Sequence, residues 1–486
     1  MDLGAESGRC IVGVLSNGAV ALRDGHRFPN EPVALPDGLH WDALRLFHDL
    51  TAGLRRAARD GPLAGMGVAT WGVDFALLDR DGALLGNPYH YRDRRTEGIL
   101  DDALRLITRD ELFRRTGGQP MRINTLFQLF AMARARAAAL EAAATLLMMP
   151  DLFNYWLAGE VGCEFTEATT SQCYDLRTGA WAVDLVERLG IPPRIFPRVF
   201  APATVLGPLR RGIAEGAGCG DLRVIAAACH DTASAVAAVP AEDPAFAYIS
   251  SGTWSLVGTE VGRPVVTPEA LAHGFTNEGG ALGRVCFLKN VTGLWLLQAC
   301  RSWWAAEGED VSYDALVGEA EAASSVGAFV NPDDERFLGP GDMPARLRRA
   351  CRETGQPVPQ TRGELVRCII ESLALRYRWV LDRLDRILGR PTPVVHIVGG
   401  GARNALLCRL TADVTGRTVE AGPVEATAMG NVLTQACALG RLDPRDVRAV
   451  ARRSAWPVVY EPRDHARWAD ASERFGRLVA QQEGQP

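Results

Sequence analysis

Lysine is almost absent from this chain of 486 residues. Lys289 is the only one, and it stands in the segment Phe287-Leu288-Lys289-Asn290. A Walker A loop needs a lysine directly after its glycines, and a protein kinase needs one on its third strand. Lys289 fits neither pattern, so the sequence excludes both of these solutions for holding a phosphate.

Paired cysteines are absent as well. The chain has 11 cysteines, an odd number, and no two of them form a CxxC pair. A zinc ribbon and a thioredoxin-type site are therefore excluded, and HExxH and GxSxG motifs are missing too. This pattern predicts a reduced, cytoplasmic enzyme. Cys351 and Cys368 are close enough in sequence for a disulfide, but free thiols are the more usual state in that compartment.

Long apolar runs and a strong charge of one sign are also missing. The first residues do not form a signal peptide, and no apolar run reaches the length of a membrane span. The net charge of -5 gives no general attraction to nucleic acid or to anionic membranes. We therefore expect small-molecule partners, no nucleic acid and no membrane, and we leave the oligomeric state open, with a monomer as one option.

The length favours two domains, because a single core rarely holds so many residues. The proline-flanked segment 240–244 is a candidate hinge, so we predict domains at 1–240 and 241–486.

The segment Val224–Val236 is the centre of the functional prediction. Its small apolar residues up to Ala228 predict a buried strand, and Thr232 and the residues after it predict a helix. Asp231 would then lie at the carboxyl end of a strand, where ligands bind in open α/β sheets. We interpret Asp231 as a general base, but a helix cap explains the residue equally well at this point.

Three other turns combine glycines with hydroxyls or polar groups. They are the segments 2–9, 250–253 and 399–401. Backbone N–H groups in such turns can close on an anion, so two of them suggest a nucleotide site with one phosphate turn from each half. Only Met1 precedes Asp2, so either the first strand is cut short or the natural start lies upstream.

Further segments predict elements and polar surfaces. Gly72 and Asp74 at a strand end could face a polyol. The hydroxyl-rich run 164–171 suits a polar cleft or a helix cap. Apolar spacing predicts helices over 41–58, 124–147 and 364–388.

Taken in order, these segments resemble the FGGY carbohydrate kinases almost from end to end. The motifs that carry the resemblance are DLGAESGR at 2–9, TWGVDF at 70–75, YRDRRT at 91–96, NTLFQL at 124–129, EATTSQ at 167–172, HDTASAV at 230–236, SSGTWSL at 250–256, TNEGG at 276–280, LKNVTGLWLLQ at 288–298, HIVGGGARN at 396–404 and AGPVEATAMGN at 421–431. The resemblance implies an α/β fold of two ribonuclease-H-like, actin-like ATPase lobes with a hinged cleft between them.

The resemblance also implies an activity, which is transfer of phosphate from ATP to the 1-hydroxyl of the ketose L-rhamnulose, with Mg²⁺ as cofactor. It assigns Asp231 as the catalytic base and Asp2 as the residue that reaches Mg²⁺, through water. It assigns the substrate contacts to Gly72, His230, Asp231, Thr232 and Asn290, and to these we add Asp74 for its hydroxyl-accepting carboxylate. It assigns the ATP contacts to Ala5, Glu6, Ser7, Gly8, Arg9, Thr253, Gln298 and Gly400.

Two alternatives remain at this stage. A kinase for another ketose or polyol, such as L-fuculose, would keep Asp231 and both phosphate turns. A sugar-sensing regulator would have lost catalysis and would carry a DNA-binding helix-turn-helix, for which neither terminus offers a basic recognition helix.

Overall fold

The structure is a computed structural model that describes residues 1–339 and 341–483. Its strands, in chain order, are β1 (Asp2–Leu3), β2 (Ser7–Ser16), β3 (Ala19–Pro29), β4 (Val33–Leu35), β5 (Gly38–His40), β6 (Gly65–Met66), β7 (Ala69–Thr70), β8 (Phe75–Leu78), β9 (Thr145–Met148), β10 (Cys163–Glu164), β11 (Tyr174–Asp175), β12 (Ala180–Trp181), β13 (Val199–Phe200), β14 (Thr204–Pro208), β15 (Arg223–Ala226), β16 (Phe246–Ser251), β17 (Trp254–Val261), β18 (Thr276–Gly279), β19 (Val285–Thr292), β20 (Val394–Val398), β21 (Thr418–Ala421) and β22 (Val458–Tyr460).

Helices alternate with these strands through most of the chain. They are α1 (Ala43–Arg59), α2 (Ile99–Leu104), α3 (Arg109–Thr116), α4 (Thr125–Arg134), α5 (Ala138–Ala142), α6 (Met149–Ala158), α7 (Phe165–Thr170), α8 (Val183–Arg188), α9 (Arg211–Ala217), α10 (Asp231–Ala237), α11 (Pro268–Ala272), α12 (Trp295–Ala306), α13 (Tyr313–Ala322), α14 (Met343–Glu353), α15 (Arg362–Leu388), α16 (Ala405–Thr415), α17 (Ala426–Ala438), α18 (Val447–Ala455) and α19 (Ala469–Glu483).

The chain divides into two compact units, and neither is a single run of sequence. The first contains residues 1–238, 260–287 and 426–454, and the second contains 239–259, 288–425 and 455–486. The boundary expected at residue 240 stays a prediction.

The first unit is built on a sheet with the strand order β3-β2-β1-β7. Strand β1 pairs antiparallel with β2 and parallel with β7. Helix α1 begins after Asp42, whose side chain accepts a hydrogen bond from the backbone N of Arg45. The apolar face of α1, with Leu46, Leu50 and Leu54, packs in the same core cluster as Leu3 of β1. This packing holds β1 in place although it is only two residues long.

The second unit is built on a sheet whose strands follow in the order β19-β17-β16-β20-β21-β22. The β16 and β20 strands are parallel, with Phe246 opposite Val394 and Ser250 opposite Val398. Helix α15 starts with a capping box formed by Thr361 and Glu364. The helix predicted over 364–388 is confirmed.

One predicted helix is wrong. The Ala-rich segment 124–147 is not continuous, because α4 ends at Arg134 and Arg136 adopts a positive φ of 51°. A short helix follows, and then β9 pairs antiparallel with β8. In this segment the pairing of two strands therefore outweighs the helix propensity of the alanines.

Two expectations based on composition can be compared directly with the structure. All eleven cysteines lie within the described residues and all are free thiols, including Cys351 and Cys368. None of the helices described combines the length and the apolar character that a membrane crossing requires.

Candidate active site

Three strands of the first unit bring their carboxyl ends to one edge. In the parallel pairing of β1 with β7, Leu3 lies opposite Thr70. A further parallel bridge joins Thr70 to His230, and the backbone N of Thr70 donates to the carbonyl of Cys229 at 2.9 Å. The turn after Leu3, the loop after Thr70 and the start of α10 therefore lie side by side, which is the predicted location for a ligand site in an α/β sheet.

Asp231 is the first residue of helix α10, and His230 is the residue that occupies the cap position. The simple capping interpretation of Asp231 is therefore wrong. Its carboxylate accepts a hydrogen bond from the Thr232 hydroxyl at 3.1 Å, and 33% of the side chain remains exposed. Burial, with the charge of Asp2 as a second cause, raises the pKa of Asp231 to about 7. A carboxylate with this pKa can accept a proton near neutral pH.

The backbone before Asp231 is held by helix α7. The buried carboxylate of Glu164 caps α7 and also accepts from the backbone N of Cys229 at 3.1 Å. The hydroxyl of Thr166 accepts from the backbone N of His230 at 2.9 Å. Burial raises the pKa of Glu164 to about 7, against the effect of these hydrogen bonds. For the run 164–171 the sequence leaves open a polar cleft or a helix cap, and the structure shows a cap, made by the carboxylate of Glu164. The hydrogen bonds from this run to residues 229–230 are not predicted by the sequence.

The loop after β7 is tightly constrained. Gly72 is buried, and a Cβ at this position would lie 2.9 Å from Cγ2 of Thr170. Val73 has a positive φ of 70°, a strained conformation for a β-branched residue. Its backbone N donates to the Thr170 hydroxyl at 3.0 Å, and its carbonyl accepts from the Thr125 hydroxyl at 2.6 Å. The surrounding side chains thus hold a conformation that the loop would not adopt alone.

Asp74 lies inside this loop and is fully buried. Its carboxylate accepts from Nε1 of Trp41 at 2.6 Å, Nε1 of Trp71 at 3.0 Å and Nε2 of Gln128 at 3.0 Å. Burial raises the pKa of Asp74 to about 6, although these donors act in the opposite direction. The side chain is enclosed by protein on all sides, and the contact of Asp74 with sugar stays a prediction.

The first predicted phosphate turn joins β1 to β2. The backbone N of Gly4 donates to the carbonyl of Ser7 at 2.9 Å, and the side chain of Asn30 donates to the carbonyl of Gly4 at 2.8 Å. Glu6 and Ser7 at its tip are exposed. A Cβ on Gly8 would lie 2.1 Å from the ring of Phe28, so a larger residue there would force that ring to move. The turn is therefore a fixed hairpin with an open tip, between Ala5 and Arg9.

Asp2 forms an ion pair with Arg9 across the β1–β2 ladder, and 10% of its side chain is exposed. The pairing anchors the carboxylate at the edge where Asp231 lies.

The second unit carries the second predicted turn, at the tip of the β16–β17 hairpin. The carbonyl of Thr253 accepts from the backbone N of Gly293 at 3.1 Å and of Trp295 at 3.2 Å, which ties the turn to the start of α12. Gln298 follows on α12, and its Oε1 is buried without a hydrogen-bond partner among the described residues. Asn290 lies on β19 and is half-buried.

The glycine turn after β20 contacts the same hairpin. A Cβ on Gly401 would lie 2.0 Å from Oγ of Ser251, and one on Gly399 would lie 2.9 Å from the carbonyl oxygen of Ser251. Gly400 between them is exposed, and no atom lies within 4 Å of the position of its Cβ. The structure therefore brings the turns of Thr253 and Gly400 together within the second unit.

Comparison with known families now identifies the chain. The N-terminal domain of the FGGY family of carbohydrate kinases matches residues 1–238, and the C-terminal domain matches residues 247–439. The chain belongs to the FGGY family of carbohydrate kinases. The prediction of a carbohydrate kinase, made from the order of the motifs, is confirmed.

Curated relatives of this FGGY kinase match over nearly the whole chain. A rhamnulokinase of Bacteroides thetaiotaomicron is 44% identical over 481 residues, covering 99% of this chain and 98% of the relative. A rhamnulokinase of Pectobacterium carotovorum is 40% identical over 483 residues, covering 98% and 95%.

Solved structures of FGGY kinases have the same fold. A ligand-bound xylulose kinase from Lactobacillus acidophilus superposes with a TM-score of 0.83 at 16% identity, covering 100% of this chain and 98% of that one. A glycerol kinase from Plasmodium falciparum with ADP gives 0.79 at 15% identity, covering 99% and 97%. At such identity the likeness concerns the fold, and it confirms the predicted α/β architecture with two actin-like lobes.

Kinases of this family use ATP and usually a divalent metal ion. The described residues contain no group of three or more His, Cys, Asp and Glu side chains that could hold a metal directly. Asp2 offers carboxylate oxygen, the ligand type that Mg²⁺ prefers. A single carboxylate fits an ion that keeps most of its water and is bound mainly through substrate phosphates.

Proposed function

We propose that this FGGY kinase transfers the γ-phosphoryl group of ATP to the 1-hydroxyl of L-rhamnulose. The observation that carries the proposal is that three curated relatives, 39–44% identical over at least 91% of this chain, are rhamnulokinases. We also propose that the reaction takes place in the cytoplasm, where ATP is supplied.

Asp231 acts as the general base in this proposal. It takes the proton of the sugar hydroxyl as that oxygen attacks the γ-phosphorus, and the bond to the bridging oxygen of ADP breaks. Its pKa of about 7 supports the role, because a base works best when its pKa lies near the working pH. The hydrogen bonds that Glu164 and Thr166 accept from the backbone of residues 229 and 230 fix the chain from which the Asp231 side chain projects.

The sugar would be held by groups around the carboxyl ends of β7 and β15. Gly72, His230 and Thr232 lie at this edge of the first unit, and Asn290 on β19 is a further predicted sugar contact. These contacts would raise the rate as well as the affinity, because phosphoryl transfer depends chiefly on how precisely the sugar hydroxyl is positioned and on charge stabilisation.

ATP would be held by backbone and side-chain donors of the two glycine turns. Residues 5–9 are the predicted contacts of the first turn, with the Ser7 hydroxyl at its exposed tip. Thr253, Gln298 and Gly400 are further predicted ATP contacts. When bound, Mg²⁺ neutralises charge on the β- and γ-phosphates. Asp2 is the residue we assign to it, through water.

The proposal is tested by measuring ADP release with ATP and Mg²⁺ across L-rhamnulose, L-fuculose, D-xylulose and glycerol. We expect kcat/KM for L-rhamnulose to exceed the others by at least about 10-fold, because hydroxyl-specific contacts discriminate strongly. NMR of the product should place the phosphate on the 1-hydroxyl. Preference for another acceptor would contradict the proposed substrate, and no turnover of any acceptor would contradict the proposed activity.

A further inference from the structure

Two buried polar atoms face each other beside the proposed base. Nδ1 of His230 lies 3.5 Å from Oε2 of Glu278, and neither atom has a hydrogen-bond partner within the described part of the chain. The side chains are 9% and 12% exposed. On the other side of the ring, Nε2 of His230 lies 3.4 Å from Oδ1 of Asp231. The imidazole thus stands between two carboxylates.

Glu278 is fixed by its neighbours on β18. The backbone N of Gly279 donates to the hydroxyl of Thr169 on α7 at 2.7 Å. A Cβ on Gly279 would lie 2.6 Å from the ring of Phe165, so strand and helix are in close contact. The side chain of Asn277 donates to the carbonyl of Gly117 at 3.0 Å. The carboxylate of Glu278 therefore comes from a rigid element.

Burial dictates the protonation of the imidazole. Desolvation lowers the pKa of His230, against the effect of Glu278, so the ring is neutral near pH 7. A neutral imidazole has one N–H donor and one acceptor, and a hydrogen bond to one nitrogen decides which is which. Carboxylates face both nitrogens, but they differ in what else they bind. Oδ1 of Asp231 also accepts from the Thr232 hydroxyl and 33% of that side chain is exposed, whereas Oε2 of Glu278 is buried and has no other partner among the described residues. A hydrogen on Nδ1 satisfies this buried oxygen, so the Nδ1–H form is favoured. Nε2 is then an acceptor and does not donate to Asp231.

We propose that Glu278 is a positioning residue that holds His230 in the Nδ1–H form, with Nε2 as an acceptor for a sugar hydroxyl. The role of His230 toward the sugar rests on the proposed function, while the approach of Glu278 to His230 is a feature of the structure itself. The present separation is longer than an ordinary hydrogen bond, as is common at active sites before substrate binds.

Loss of Glu278 would also alter the base. With the hydrogen on Nε2, His230 would donate to Oδ1 of Asp231 and make that carboxylate a weaker acceptor for the sugar proton. The titratable groups that face Asp231 are Asp2 on β1, Glu167 on α7, Glu278 on β18 and His230 itself.

The experiment is ¹⁵N NMR of the intact protein labelled in histidine, with the His230 signals identified by their loss in His230→Asn. Wild-type protein should show His230 as Nδ1–H at pH 7, and Glu278→Met should shift it to Nε2–H. Glu269→Met, on an exposed residue of α11, should leave the signals unchanged. An Nε2–H form in the wild type would overturn the proposal even if Glu278→Met does not fold.

Kinetics of the same variants separate positioning from a general loss of structure. For Glu278→Met we expect kcat/KM for the sugar to fall by about 10- to 100-fold, the range for one hydrogen bond to a charged group. KM for ATP should be unchanged. Glu278→Gln keeps an acceptor oxygen and should recover part of the activity. An equal rise in both KM values, with the Nδ1–H form retained, would contradict the proposal. The expected NMR result without L-rhamnulose turnover would instead contradict the proposed substrate alone.

Discussion

Asp231 shows how a single residue acquires a function from its surroundings. The side chain is open to water on one side, while protein and the Asp2 carboxylate oppose its ionisation from the other. Neither burial nor the charge of Asp2 can be deduced from the short motif around Asp231. The motif identifies the residue, and the fold supplies its pKa.

The raised pKa of Asp231 predicts a pH dependence. The base must be ionised to accept the sugar proton, so kcat/KM for the sugar should rise with pH up to about 7 and then level off. Below that value it should fall about tenfold for each pH unit. Asp221→Asn, a change at an exposed carboxylate, should give the same profile. A flat profile between about pH 5.5 and 8 would contradict an Asp231 base that titrates near 7.

Several contributors to the site could not be recognised one residue at a time. Glu278 and Thr166 meet His230 only because β18, α7 and β15 converge in the fold. Val73 is a common strand residue, and no sequence rule predicts its positive φ. Sequence reasoning identified the residues at the ends of strands and missed those that reach them from other segments.

Elements with a strong local pattern were predicted well. The strand expected before Asp231 and the helix that ends at Leu388 are both present. The failed helix over 124–147 has a run of alanines, which favour helix but do not specify packing. The segment instead supplies β9, whose buried residues pair with β8. The structure of this segment is therefore determined by the long-range pairing of β9 with β8 and not by the helix propensity of its alanines.

Helices α10 and α17 of the first unit pack at unusually short range, which predicts a stability effect. A Cβ on Gly430 of α17 would lie 1.7 Å from the carbonyl oxygen of Ser234 on α10. Gly430→Ala should therefore force the helices apart, destabilise the protein by about 1–3 kcal/mol and lower activity, since α10 carries Asp231. The measurement is urea unfolding combined with the kinase assay.

The matched control is Gly476→Ala on α19, where no atom lies within 4 Å of the added Cβ. That change should be neutral or stabilise the protein by up to about 1 kcal/mol. Similar effects of the two substitutions would show that close packing at Gly430 is not what matters.

At the scale of the whole molecule, the fold was predicted from the order of motifs along the chain. Chain length indicated two domains, and the resemblance of the motifs implied the α/β fold. They could not show that each compact unit is assembled from separated segments, because residues 426–454 join the first unit only through tertiary packing.

The proposed contact of Gly400 with ATP can be tested with Gly400→Leu. Gly400 is exposed with open space around its Cβ, so a leucine should not disturb folding. If ATP binds there, KM for ATP should rise by about tenfold or more while KM for the sugar stays constant. Gly318→Leu, at an exposed and open position on α13, should change neither value. A rise in the KM for the sugar alone would contradict the assignment of Gly400 to ATP.

The most direct test of the account is the comparison of wild-type protein with Asp231→Asn, using ADP release and calorimetric binding of L-rhamnulose. The account predicts that kcat falls by about 10² to 10⁴-fold, the usual contribution of a general base, while the sugar still binds with a Kd within a few-fold of wild type. Substantial activity in Asp231→Asn would contradict the role of Asp231 as the base.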